Sequence, residues 1–141
     1  MIPDLSPDGR YLSVITDVGT IEAKLGVFDL QERTLLPNPV PLQVLPGTVQ
    51  IGRSRITPDG SAVAYIQARA DGTPVLVRRP LSAWRTGAGR IDTLFAAATE
   101  AIESFGFSPD GKRATVSVVD WLSGLTIAEG AKGIVPPRRA K

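Results

Sequence analysis

The chain contains neither cysteine nor histidine. These absences exclude disulfides, thiolate zinc sites and thiol nucleophiles, and every mechanism that needs an imidazole as base or ligand. Aromatic residues make up only 6% of the sequence, and there is a single methionine. No apolar run approaches the ~18 residues needed for a membrane-spanning helix. The start, Met1-Ile2-Pro3-Asp4, lacks the basic and apolar regions of a signal peptide. The lack of cysteine does not fix the compartment, because exported proteins without cysteine are common.

Charge of one sign is also missing over most of the length. The net charge is +2, but Lys132, Arg138, Arg139 and Lys141 fall in the last twelve positions, where there is no acid. The remainder has 12 basic and 14 acidic groups. No broad basic face for nucleic acid is expected from such a balance. What the sequence does have is punctuation. In 141 residues there are 14 glycines and 12 prolines, which favours many short elements over long helices.

A repeat organises these turns. Ser6-Pro7-Asp8-Gly9-Arg10 returns as Thr57-Pro58-Asp59-Gly60-Ser61 and as Ser108-Pro109-Asp110-Gly111-Lys112, with the prolines 51 residues apart each time. At average composition a Pro-Asp-Gly triplet is expected about 0.02 times in a chain of this length. Three copies at one period therefore mark a repeated structural unit. Leu5, Ile56 and Phe107 precede the turns. Leu12, Val63 and Ala114, then Val14, Tyr65 and Val116, follow on one face, alternating with Ser13, Ala64 and Thr115. This period of two predicts strands.

The turn chemistry has a direct reading. Pro7, Pro58 and Pro109 fix φ for the second position of a type I turn. Asp8, Asp59 and Asp110 bond nearby amides, and Gly9, Gly60 and Gly111 take the positive φ that closes each hairpin. Third strands are predicted at 25–30, 74–78 and 125–128, and fourth strands at 40–45 and 90–95. Thr93–Glu103 is locally a good helix former. The repeat predicts strand and loop there, with room for a helical turn around 97–101.

Four-stranded units with a Ser-Pro-Asp-Gly-Lys hairpin resemble the WD-repeat-like blades of TolB-type β-propellers. The resemblance covers about residues 5–129. Lys24–Leu30, Thr57–Ile66 and Ser108–Ala114 further resemble the C-terminal propeller of bacterial transmembrane serine/threonine protein kinases. Similar propellers occur on response-regulator-like transcription factors and on prolyl-oligopeptidase-type peptidases, so the fold does not choose among them. The resemblance implies an all-β chain, a partial β-propeller of about two and a half four-stranded antiparallel blades. The units are 1–51, 52–103 and a truncated 104–129, followed by a basic, disordered tail at 130–141.

Closed propellers have about 4–8 blades, so the chain reads as the C-terminal part of a larger protein. If the parent is a transmembrane kinase, the blades lie outside the cytoplasm; otherwise they lie within it. The expected function is a non-catalytic interaction or sensor module. The alternative is a fragment of a serine/threonine protein kinase or propeller-bearing peptidase that lacks its catalytic domain.

The candidate sites are few. Asp8, Asp59 and Asp110 could form an acidic series, but their turn role accounts for each. Gly87-Ala88-Gly89 begins like a dinucleotide fingerprint, with Asp92 in place of the third glycine and no βαβ frame. Gly106-Phe107-Ser108 begins like a nucleophile elbow, with Asp110 where glycine is needed. No phosphate-binding or kinase catalytic motif is present. Neither a cofactor nor a metal is expected.

Trp84 and Trp121 are placed in loops, as candidate surface anchors for a partner, and Tyr65 is placed in the core. Arg53, Arg55, Arg78, Arg79 and Arg85 are read as a solvated surface. The basic tail could dock on a partner, but its composition favours disorder. A partial propeller exposes apolar positions such as Leu12, Val14, Val116 and Val118, so self-association through blade faces is expected.

Overall fold

The computed structural model describes residues 3–17, 23–42, 54–98 and 101–119. Within them lie three antiparallel sheets, one for each copy of the repeat. The first contains β1 (Asp4–Leu5), β2 (Tyr11–Thr16) and β3 (Lys24–Asp29), with β4 (Thr34–Leu35) and β5 (Val40–Pro41) both paired to β3. The second runs β6 (Ser54–Ile56), β7 (Ala62–Ala68), β8 (Pro74–Pro80) and β9 (Asp92–Ala96). The third is β10 (Ala101–Phe107) with β11 (Ala114–Val119).

Each Pro-Asp-Gly turn joins two antiparallel neighbours: β1 to β2, β6 to β7 and β10 to β11. In all three the glycine amide donates to the hydroxyl residue's carbonyl at 2.8 Å: Gly9 to Ser6, Gly60 to Thr57 and Gly111 to Ser108. The glycines have φ of 71°, 69° and 68°. The hydroxyl before the proline completes the motif. Thr57 Oγ1 donates to Asp59 at 2.6 Å and accepts the Ala62 amide at 3.0 Å. Ser6 and Ser108 make the corresponding bonds. Donation from Thr57, then from the amide and hydroxyl of Ser61, holds the Asp59 carboxyl down to about 2.

Alternation decides which sheets meet. Residues opposite each other on antiparallel strands share a face. Leu25 and Val27 of the first sheet pack with Ile56, Val63, Tyr65, Val75 and Val77 of the second. The other face of the second sheet gives Ala64 and Leu76 to a smaller core with Ile102 and Phe105 of the third. The turns stack in the same order. A Cβ on Gly60 would lie 3.8 Å from Pro7, and one on Gly111 would lie 3.8 Å from Pro58.

Several expectations are corrected. The first blade's fourth strand is split: pairing starts at Thr34, and of the expected 40–45 only Val40–Pro41 pairs among the described residues. Pro37 and Pro39 lie between the two pieces and have no N–H to continue a ladder. No helical turn forms at Ala97, Ala98 or Ala101. Ala96 pairs with Val75 and Ala101 with Val119, so non-local ladders override local propensity. A helix forms elsewhere, as α1 (Leu81–Thr86). Val116 is not a free apolar residue, because it packs against the Ala64–Leu76 core. The strand expected at 125–128 and the tail at 130–141 lie outside the described residues.

Gly60→Val should cost about 1–3 kcal/mol, the range for a side chain held at unfavourable φ. The cost is conformational, since a Cβ at Gly60 meets nothing closer than 3.8 Å. Gly106→Val is the comparison: Gly106 lies in β10 without positive φ and with open space at its Cβ. Denaturant midpoints should fall clearly for the first and little for the second. Equal losses would reject the turn's role.

Candidate functional site

The densest polar cluster lies between the first two sheets, at the end marked by the Pro-Asp-Gly turns. β3 ends at Asp29, whose carboxylate is wholly buried. Its Oδ1 accepts the amides of Gln31 and Glu32 at 3.0 and 3.1 Å, which folds the chain back toward β4. Its Oδ2 accepts Arg10 Nε and Nη2 at 3.1 and 3.0 Å, and Arg85 Nη2 at 2.5 Å. Arg10 follows the first turn, whereas Arg85 comes from α1 of the second sheet.

The rim closes around Tyr11. Arg85 donates to Tyr11 Oη at 3.2 Å and to Glu32 at 3.3 Å. The Arg10 guanidinium lies 5.0 Å from the Tyr11 ring centre, within cation–π range. Burial opposes ionisation of Asp29. The Arg10 hydrogen bond and the two amides outweigh it, and the carboxyl sits below its ordinary value. Arg10 is held more basic by Asp29, and Arg85 by Tyr11 and Glu32.

A second set of contacts fastens α1. Asn38 Nδ2 donates to the carbonyls of Trp84 and Arg85 at 3.1 and 3.0 Å, capping the end of the helix. Arg79 donates to the carbonyls of Asn38 and Ala83 at 3.1 and 2.9 Å, with its guanidinium 4.6 Å from the Trp84 ring centre. Trp84 meets Tyr65 edge to face at 6.1 Å.

The expected anchor Trp84 is therefore corrected. It is on a helix rather than a loop, and it is 0% exposed. Trp121 lies outside the described residues. Tyr65 is in the core, at 2% exposure. Arg79 and Arg85 are not simply solvated: Arg79 is buried, and Arg85 crosses the seam between sheets. Arg55 and Arg78 form exposed pairs with Asp4 and Asp92. Arg53 lies outside the described residues. Asp8, Asp59 and Asp110 each bind within their own turn.

Sequence reasoning missed Asp29, Arg10, Asn38 and α1. The helix had a signal, because Pro80 precedes it and Gly87 ends it in the left-handed region. The cluster had little: the pairing of β2 with β3 brings Tyr11 beside Asp29, but only the stacking of two sheets adds Arg85. Chemically it joins opposite charges to one another. Among the described residues no group of acidic side chains could hold a metal ion, and no helix is long and apolar enough to cross a membrane.

No family model matches the chain, and no curated protein matches it in sequence. In structure it is similar to TolB from Acinetobacter baumannii, with a TM-score of 0.56 and 23% identity over 81% of this chain. The match covers 25% of that protein, so this chain spans about a quarter of its length. At that identity the likeness shows the fold alone. The chain is a partial β-propeller of about two and a half four-stranded antiparallel blades, TolB-like in fold.

Proposed function

We propose that the chain is a non-catalytic interaction module, a set of blades that works within a larger propeller. The observation that carries this reading is the seam. Its ionisable side chains are engaged with one another and join two blades. What faces solvent there is a mixed rim of Arg10, Arg85, Glu32 and Tyr11, which suits contact with a polar partner surface. The blade division 1–51, 52–103 and 104–129 belongs to the same proposal.

A second reading makes the chain the C-terminal part of a larger serine/threonine protein kinase or propeller-bearing peptidase. It rests on the three stretches that resemble kinase-linked propellers. An upstream kinase domain and one membrane span in the same reading frame would support the kinase parent.

The non-catalytic reading is tested on the purified chain. No phosphate transfer from ATP to protein substrates is expected, and no hydrolysis of proline-containing peptides. Turnover that survives repurification and disappears when the fold is melted would overturn it.

A further inference from the structure

Asp29 and Glu32 both reach Arg10 and Arg85, but on different terms. Asp29 is buried and holds the two arginines at 3.0 and 2.5 Å. Glu32 is the exposed partner, with 48% of its side chain in solvent. Each of its oxygens takes one guanidinium: Oε1 accepts Arg10 Nη2 and Oε2 accepts Arg85 Nη1, both at 3.3 Å. Charge-assisted bonds of this kind are normally about 2.7–2.9 Å. One carboxylate therefore spans two arginines without being held tightly by either, and exposed ion pairs of this type add little to stability. The turn does not need the Glu32 side chain, because Asp29 Oδ1 accepts the Glu32 backbone amide at 3.1 Å.

The arginines keep capacity beyond these bonds. About a third of each side chain is exposed, 35% for Arg10 and 37% for Arg85. Among the described residues nothing accepts from Arg10 Nη1 or Arg85 Nε. Tyr11 Oη accepts from Arg85 at 3.2 Å, and its own O–H has no acceptor among them. Without Glu32, Asp29 leaves the two arginines with one uncompensated positive charge. That excess matches the single charge of a carboxylate better than the roughly −1.5 to −2 of a phosphate monoester. The cluster lies in the seam between two described sheets, with Arg10 on one and Arg85 on the other, so both of its walls are present.

We propose that this clamp recognises an acidic side chain of a partner protein, and that Glu32 occupies it until the partner's carboxylate displaces it. Arg10 and Arg85 then take one carboxylate oxygen each. Tyr11, its ring centre 5.0 Å from the Arg10 guanidinium, lines the rim beside them. Buried Asp29 keeps both guanidiniums in place, and a fork held in advance loses less freedom on binding. The inference rests on the interaction-module reading and deepens it by naming the partner's chemistry.

The test is titration of the full chain with N-acetylated, amidated hexaglutamate, read by calorimetry. Glu32→Ala vacates the clamp and should bind the peptide at least ~10-fold more tightly than wild type. Glu103→Ala removes the same charge from an exposed position on β10 and should bind as wild type does. Adding Arg85→Gln to Glu32→Ala should abolish the gain. If circular dichroism shows a variant to be unfolded, Glu32→Gln replaces Glu32→Ala and Arg10→Gln replaces Arg85→Gln. Absent or unchanged binding by Glu32→Ala, a gain that Glu103→Ala reproduces, or binding lost only when Arg138 and Arg139 are replaced by alanine overturns the proposal. A larger gain for a phosphoserine peptide of matched net charge overturns the carboxylate assignment. The non-catalytic reading is judged separately, by turnover, and survives any of these failures.

Discussion

Trp84→Ala is expected to lower stability by about 3–5 kcal/mol, the range for removing a large buried aromatic side chain. Trp84 is 0% exposed and belongs to the core that joins Leu25, Val27 and Leu36 of the first sheet to Tyr65 and Val77 of the second. Truncation removes the edge-to-face contact with Tyr65 and the ring beneath the Arg79 guanidinium. Arg79 is itself buried, so the vacated space borders a charge held by two carbonyls, and collapse around it is hindered. A small domain has about 5–15 kcal/mol in total, so the loss is a large share.

Trp84→Phe discriminates shape from polarity. It keeps a ring in the seam and removes an indole N–H that has no hydrogen-bond partner among the described residues. A clearly smaller loss is expected from it. Denaturant unfolding of both variants checks the pair. Wild-type stability in Trp84→Ala would mean that the first two sheets do not share this core.

The turn half of the architecture was legible because its chemistry is local. Pro7, Asp8 and Gly9 determine their own backbone within a few residues, and the 51-residue period repeats that solution. The strands after the turns were legible from alternation, and so was the core position of Tyr65. Local reasoning failed where partners are distant. The helix-forming run Thr93–Glu103 is drawn into two ladders, whose partners Val75 and Val119 lie about twenty residues away on either side. The repeat alone places Trp84 in a loop because it contains no helix, although Pro80 and Gly87 bracket one. Alternation places Tyr11 and Asp29 on one face of the first sheet. Nothing in it brings Arg85 there.

Asp29→Ala is expected to lower the melting temperature by on the order of 10 °C, because a buried ion pair that loses one partner leaves the other charge uncompensated. The carboxylate serves both sheets at once. Without it the Gln31 and Glu32 amides lose their acceptor, and among the described residues Arg10 and Arg85 retain only Glu32 as a carboxylate partner. Asp29→Asn should fall between, since its amide oxygen can still accept hydrogen bonds although the charge is gone. The folded pKa of Asp29 lies below its ordinary value of 3.8, so its contribution is fully present above that value. It is lost as pH falls through the folded pKa. The gap in melting temperature between wild type and Asp29→Ala should therefore be widest near neutral pH and narrow in acid. Calorimetry of the two proteins between neutral pH and pH about 2 reads this directly. Arg85→Ala and the Asp29→Ala, Arg85→Ala double variant complete a cycle across the seam. Strong coupling places the pair between the two sheets, as the geometry does. Additive losses would show that Asp29 acts only within its own turn and does not hold one blade to the next, and a gap that stays constant into acid would show that its charge contributes nothing to stability.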